Sequence, residues 1–213
     1  LNLGGYPQIK FRPLTFDQID WGKSYTDLPI IRYAEVLLMY AEAKAELGIL
    51  TQDDVNQTIN LIRQRAGMPD ASLDDWLANI DPVQDERYSN VQSAQKGAVL
   101  EVRRERRIEL ACEGFRYGDL MRWGCGERLV APKAGMMLYT DVYTPEEIAV
   151  LKTEVGTYAD GSLDVYGKRV TTPAIFESPK HYLFSLPLNE MALNPKLKPN
   201  NPAGEIDGNE HIK

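Results

Sequence analysis

Cysteine and histidine are scarce in this sequence, with two of each among 213 residues. Two cysteines exclude a disulfide-built scaffold and leave too few thiolates for a multi-cysteine zinc site. The histidines, His181 and His211, lie far apart and form no HExxH-type pattern, so no metal is expected. Positive charge is also in deficit. Twenty-four Lys and Arg against 31 Asp and Glu give a net charge of −7, which opposes a broad nucleic-acid footprint or a polybasic membrane patch. Long apolar runs are missing: the longest, around Tyr33–Tyr40, is interrupted by Glu35 and followed by Glu42. That is far short of the ~20 residues a membrane-spanning helix needs. No phosphate-cradling loop occurs, because Gly4-Gly5 is terminal and Gly124-Cys125-Gly126 opens no helix. Asp160-Gly161-Ser162-Leu163-Asp164 lacks the ligand spacing of a calcium loop and reads as a turn. No cofactor is expected. The first residues, Leu1-Asn2-Leu3-Gly4-Gly5, offer neither an initiator Met nor a signal core. Either a targeting segment has been removed or the chain is a piece of something larger.

What is present is ordinary globular material, 43% apolar and 26% charged, in a chain long enough to bury a core unaided. The pattern predicts a mainly α fold of tetratricopeptide-like helical hairpins with long loops and a small β-hairpin. Residues 1–30 read as an extended lead-in. Ala34, Leu37, Leu38, Ala41 and Ala45 follow helical spacing from Arg32 to Leu47, and Gly48 supplies the C-cap region. Asp53 or Asp54 is expected to cap a second helix that Gly67 and Pro69 stop. Ser72 opens a short helix through about Asn79, and Asp81–Gln92 reads as a polar surface loop. A long helix is expected from about Ala94 to Glu113, then another over Arg116–Trp123. Thr144-Pro145-Glu146-Glu147 is a helix start with cap, first-turn proline and capping-box glutamate in order. Asp160-Gly161 marks a hairpin within Thr157–Tyr166, and the tail from Pro195 to Lys213 should be wrapped on the surface or frayed. We expect a single domain, 1–213: lead-in 1–30, helical hairpins 31–125, and a loop-rich region 126–213 with a short helix, a hairpin and an extended tail.

The densest chemistry lies in Glu101–Glu113. Glu101, Glu105, Glu109 and Glu113 recur at i+4, and Arg103 and Arg107 form a second like-charged stripe. Such spacing is unfavourable in an isolated helix, so partners must come from elsewhere. Arg63, Arg65, Arg116 and Arg122 are the expected supply, giving a structural salt-bridge network with Glu105, Glu109 and Glu113. Two other readings compete. Clustered arginines fit nucleic-acid binding, against which stand the interleaved glutamates and the negative net charge. Paired carboxylates about 5–10 Å apart fit a glycoside hydrolase, yet neighbouring arginines would depress the acid's pKa when that role needs it raised. Cys112 reads as a buried free thiol, with a Cys112–Cys125 bridge as the alternative.

Several segments, taken together, resemble the SusD/RagB family of outer-membrane nutrient-binding lipoproteins. They are Arg32-Tyr33-Ala34-Glu35-Val36-Leu37-Leu38-Met39-Tyr40-Ala41-Glu42-Ala43, then Ile62-Arg63-Gln64-Arg65-Ala66-Gly67-Met68-Pro69. Glu105-Arg106-Arg107-Ile108-Glu109-Leu110-Ala111 follows, with Glu113-Gly114, Arg116-Tyr117, Asp119-Leu120 and Arg122-Trp123-Gly124. Tyr182-Leu183-Phe184, Pro187-Leu188-Asn189-Glu190 and Asn194-Pro195 resemble the closing segment. Departures at Cys112, Phe115, Gly118 and Ser185-Leu186 fall on packing positions. The resemblance implies the carboxyl-terminal portion of a non-catalytic, cell-surface lipoprotein. Such a protein captures a glycan or other nutrient for import through a SusC-type TonB-dependent transporter. Its membrane contact would be a lipid anchor outside this chain. The non-family alternative is a helical protein-interaction scaffold that binds no sugar.

Neutral sugars are held by aromatic platforms flanked by hydrogen-bonding groups. The aromatics expected in loops are Trp21, Tyr25, Trp76, Tyr88, Tyr139, Tyr143, Tyr158 and Tyr166. Of these, Trp21 with Tyr25 and Tyr139 with Tyr143 are closely spaced pairs and are the candidate ligand-binding residues. Tyr33, Tyr40, Phe115 and Trp123 stand in helical motifs and are expected in the core.

Overall fold

A computed structural model describes residues 8–13, 22, 26–27, 29–130, 134–139, 141–166, 174–194 and 196–198. Trp21 and Tyr25, much of the lead-in and nearly all of the tail beyond 194 lie outside the described residues. The fold is mainly α with one small antiparallel sheet. It divides into two compact units, one formed by Lys10–Arg122 and one holding the described residues from Trp123 onward.

In the first unit α1 spans Tyr33–Glu46. It closes through a Schellman arrangement: Gly48 adopts φ 72° while Ile49 N–H donates to Lys44 O and Gly48 N–H to Ala45 O, both at 3.0 Å. The second helical segment begins differently from the expectation. Thr51 is its N-cap, and Asp54 sits at the third helical position, where its carboxylate returns the capping-box bond to Thr51 N–H at 2.9 Å. The segment is also broken. The helix α2, Gln52–Gln57, ends at Thr58, and α3, Ile59–Arg65, starts after it. Thr58 is buried, and its hydroxyl donates to Asp54 O at 2.6 Å. That bond back to the i−4 carbonyl competes with the helical ladder.

A buried amide then fastens the link after α3. Asn60 accepts from Ala71 N–H at 2.7 Å and donates to Ala71 O at 3.2 Å, standing in for a backbone partner. Ser72 caps α4, Leu73–Ala78. The stretch read as a loop contains α5, Pro82–Arg87, because Asp81 accepts from Val83 N–H and Gln84 N–H ahead of a first-position proline. The same stretch buries Tyr88 and Val91.

The helix α6, Lys96–Glu109, is the spine of this unit, contacting α1, α3 and α4. Ala98, Val99, Leu100 and Val102 face Leu38, Ala41 and Ala45 of α1 and Leu73 and Trp76 of α4 in one core. A Cβ at Gly97 would lie 2.0 Å from Trp76 O, so the approach of α6 to α4 requires glycine there. The helix stops at Glu109, four residues before the expected end. Leu110 caps it, and Cys112, in the following turn, takes φ 65° and is exposed, not buried. Both cysteines are free thiols. After Gly114 the short α7, Phe115–Arg122, buries Asp119 and Leu120.

In the second unit β1, Ala134–Met137, pairs antiparallel with β2, Ser162–Asp164. The turn at Asp160-Gly161 closes a bridge between Thr157 and Leu163 beside it. Between the strands lies α8, Pro145–Glu154, opened by the complete capping box of Thr144 and Glu147. Further on, α9 covers Leu188–Leu193. Gly126 is closed over by Phe176 and donates its N–H to Tyr182 Oη at 2.8 Å. No helix among the described residues is long and apolar enough to cross a membrane.

Candidate functional site

Every glutamate of the α6 stripe meets a guanidinium. Glu101 is ion-paired with Arg104 one turn away, and Arg104 also approaches Asp81 at 3.6 Å. Glu105 receives Arg63 of α3. Glu109 receives Arg65 of α3 at 2.6 Å and Arg32, the residue ahead of α1, at 2.9 Å. Glu113 also takes Arg32, with Nε at 2.7 Å and Nη2 at 2.6 Å, and is ion-paired with Lys10.

Two of these cations were absent from the sequence inference. Lys10 and Arg32 also donate to the carbonyl of Glu109, and Lys10 to that of Ala111, so they close the C-terminal end of α6 where backbone acceptors lack helical partners. They come from far away in the chain, and no local spacing marks them.

A second cluster is more deeply buried. Arg106 Nε donates to both oxygens of Asp119 at 2.9 Å and lies 3.9 Å from Glu42 of α1. Arg122 bridges the same two acids, reaching Glu42 Oε2 at 2.7 Å and Asp119 Oδ1 at 2.9 Å. Arg116 joins neither Glu105, Glu109 nor Glu113 in any described bond; it donates to Tyr88 Oη at 3.0 Å. Arg103 meets Glu46 at 2.8 Å and stacks over the Tyr88 ring.

The electrostatics follow the pairing. Hydrogen bonds donated to Glu113 and then to Glu109, partly opposed by burial, hold the Arg32 guanidinium well above its ordinary pKa. Burial would raise Glu113, and the bonds from Arg32 and Lys10 outweigh it, so this carboxyl is lowered. Burial also opposes the charge on Arg122, yet Glu42 and Asp119 raise its pKa. Glu101 goes the other way: its burial outweighs the Arg104 charge and pushes the carboxyl up. Carboxylates locked to arginines on packed helices are arranged to hold elements together. A glycosidase acid needs a raised pKa beside a ligand-sized opening.

The aromatics divide sharply. Trp76 and Tyr88 are buried and belong to the core. Trp123 is buried too, whereas Phe115 is half-buried beneath the Arg106 guanidinium. Tyr33 and Tyr40, expected in the core, are exposed on α1, because that helix has a second apolar face which the described residues leave uncovered.

Tyr139 and Tyr143 belong to one turn, Tyr143 N–H donating to Tyr139 O at 3.0 Å. Tyr139 is exposed, while Tyr143 is half-buried and its hydroxyl donates to Met136 Sδ of β1 at 3.2 Å. Tyr143 directly precedes the capping residue of α8 and lines two cavities. One, of about 340 Å³, is lined by Pro145, Ile148, Ala149 and Lys152 as well as Tyr143. The other, of about 320 Å³, is lined by Glu146, Glu147, Val150 and Leu151 with the same tyrosine. Each lies at the lower end of small-molecule pocket sizes. Among the described residues no group of three or more His, Cys, Asp or Glu is placed to hold a metal ion.

Comparison with known proteins places this geometry in context. The profile described as "SusD family" matches residues 2–203. SusD-like protein P38 of Formosa agariphila is 31% identical over 136 residues, covering 64% of this chain and 23% of that protein. SusD-like protein P2 of the same organism is 26% identical over 180 residues, covering 84% of this chain and 26% of that protein. The chain thus spans about a quarter of the length of the curated relatives it matches. No solved structure matches it.

Proposed function

Because this chain belongs to the SusD family, we propose that it forms part of a cell-surface lipoprotein that captures a glycan or other nutrient without cleaving it. The captured ligand would pass to a SusC-type TonB-dependent transporter in the outer membrane, and a lipid anchor would be the protein's membrane contact. The observation that carries this reading is the family match across residues 2–203. The ion pairs of Glu105, Glu109 and Glu113 with Arg63, Arg65, Arg32 and Lys10 support it, since carboxylates bound to cations are poorly suited to acid work.

The candidate contact surface is the turn of Tyr139 and Tyr143. Tyr143 lines two cavities, and an aromatic ring at a cavity wall is the kind of group that stacks on a pyranose ring. Glu146, Glu147 and Lys152 stand at the cavity walls as hydrogen-bonding groups for hydroxyls. Trp21 and Tyr25 form the second candidate pair.

Isothermal titration of the intact protein against a panel of neutral and acidic oligosaccharides tests both levels. The expected result is binding to at least one member, weakened about tenfold or more by Tyr143→Ala, in line with ~1.4 kcal/mol for a lost stacking contact. Binding that survives Tyr143→Ala and Tyr139→Ala together would move the site to another surface. Failure to bind any panel member would favour the interaction-scaffold reading.

A further inference from the structure

The two cavities that Tyr143 lines carry charges of opposite sign. In the first, Pro145, Ile148, Ala149 and Lys152 join the tyrosine. These four recur at i, i+3, i+4 and i+7, so they form one face of α8. At 1.5 Å per residue the face runs about 10 Å along the helix. Lys152 is its one charged residue. The second cavity has Glu146 and Glu147 in its wall and no cation.

Lys152 has no acid of its own. Its neighbours one turn away, Ile148, Ala149, Val155 and Gly156, are uncharged. Among the described residues no carboxylate is ion-paired with it. In the helical unit, by contrast, Lys10 meets Glu113, Lys44 meets Asp54 and Arg63 meets Glu105. A lysine in the last turn of a helix is commonly just solvated, where it complements the helix dipole. This one shares its cavity with an aromatic ring that is held from two directions. The Tyr143 hydroxyl donates to Met136 Sδ at 3.2 Å and its backbone N–H to Tyr139 O at 3.0 Å. A chain of net charge −7 repels anions at long range, so binding one calls for a local cation.

We propose that the cavity of Tyr143 and Lys152 selects an acidic sugar, its ring lying on the tyrosine and its anionic group meeting the ammonium. This rests on the reading of the Tyr143 turn as the ligand surface, and it adds the class of ligand. Glu146 and Glu147 turn the same ligand away from the second cavity by like charge.

Isothermal titration of the intact protein against charged sugars and their neutral counterparts tests this. The probes are oligogalacturonates with their methyl esters, and O-sulfated galactose oligosaccharides with their unsulfated forms. At least one acidic set should bind, with its neutral counterpart about tenfold weaker or more. The pair that binds tells carboxylate from sulfate. Lys152→Gln should remove most of that difference and Lys152→Arg should keep it. Raising NaCl from about 0.05 to 0.5 M should weaken acidic binding in the wild type and much less in Lys152→Gln. Lys152 is exposed, so both variants should melt with the wild type. Neutral binding that requires Tyr143 and ignores Lys152 overturns the inference and leaves the proposed function standing. Acidic binding unchanged in Lys152→Gln overturns it too, by placing the anion elsewhere. If no probe binds, this inference and the reading beneath it fall together.

Discussion

Asp54 shows how one residue can hold two jobs. It is the capping-box acid of α2, and it also receives Lys44 at 2.6 Å and the Tyr40 hydroxyl at 3.1 Å. Burial works against its charge, but the bonds from Lys44, Thr51 and Tyr40 prevail and lower its pKa from 3.8 to about 2. A carboxyl with a depressed folded-state pKa gives stability that is present above its unfolded value and lost as pH falls through the folded one. The window is therefore about pH 4 down to about pH 2. Melting temperatures of the wild type and Asp54→Asn should differ at pH 6 and converge as pH approaches 2. A gap that persists at pH 2 would mean that the charge is not what stabilises the cap. Legibility at this scale is uneven for a physical reason. The need of the α6 glutamates for outside partners is written in their i+4 spacing. Lys10 and Arg32 escape notice because they reach Glu113 across 103 and 81 residues of sequence.

Elements were most readable where backbone chemistry is local. The capping box of α8, the Ser72 cap of α4 and the glycine closures of α1 and α3 rest on residues within a few positions of one another. The break at Thr58 was not readable, because its hydroxyl bond to Asp54 O competes with a stronger periodic signal, and the short α5 was hidden by its polar composition although Asp81 and Pro82 form a local cap. Tyr88 was read as a loop aromatic because its neighbours are polar; it is buried by Arg103 and Arg116, which lie on α6 and α7. Gly97 carries the clearest element-level prediction. An added methyl would meet the backbone carbonyl of Trp76 at 2.0 Å, and a carbonyl inside α4 cannot swing aside as a side-chain tip can. Despite the better helix propensity of alanine, Gly97→Ala should destabilise the protein by about 2 kcal/mol or more, since overpacking typically costs 1–3. Chemical denaturation gives the value; an unchanged midpoint would show that α6 and α4 can part without penalty.

For the molecule as a whole, the question is whether its many ion pairs hold it together or merely decorate it. The net charge of −7 means that added salt relieves overall repulsion. Salt also screens exposed pairs, which contribute about 0–1 kcal/mol each. The Arg65 side chain is 63% exposed, so Arg65→Ala should cost under about 1 kcal/mol and lose that effect in salt. Asp119 is buried between Arg106 and Arg122. Its removal takes the two-oxygen partner from the Arg106 guanidinium, which is 5% exposed, while Arg122 keeps Glu42, so Asp119→Ala should cost about 3–5 kcal/mol. Because the Arg106 and Asp119 side chains are only 5% and 6% exposed, the penalty should change little between about 0.05 and 0.5 M NaCl, where the screening length shrinks severalfold. The wild-type melting temperature should hold or rise slightly over that range at pH 7. A fall, together with an Asp119→Ala penalty that fades in salt, would make the network a surface feature.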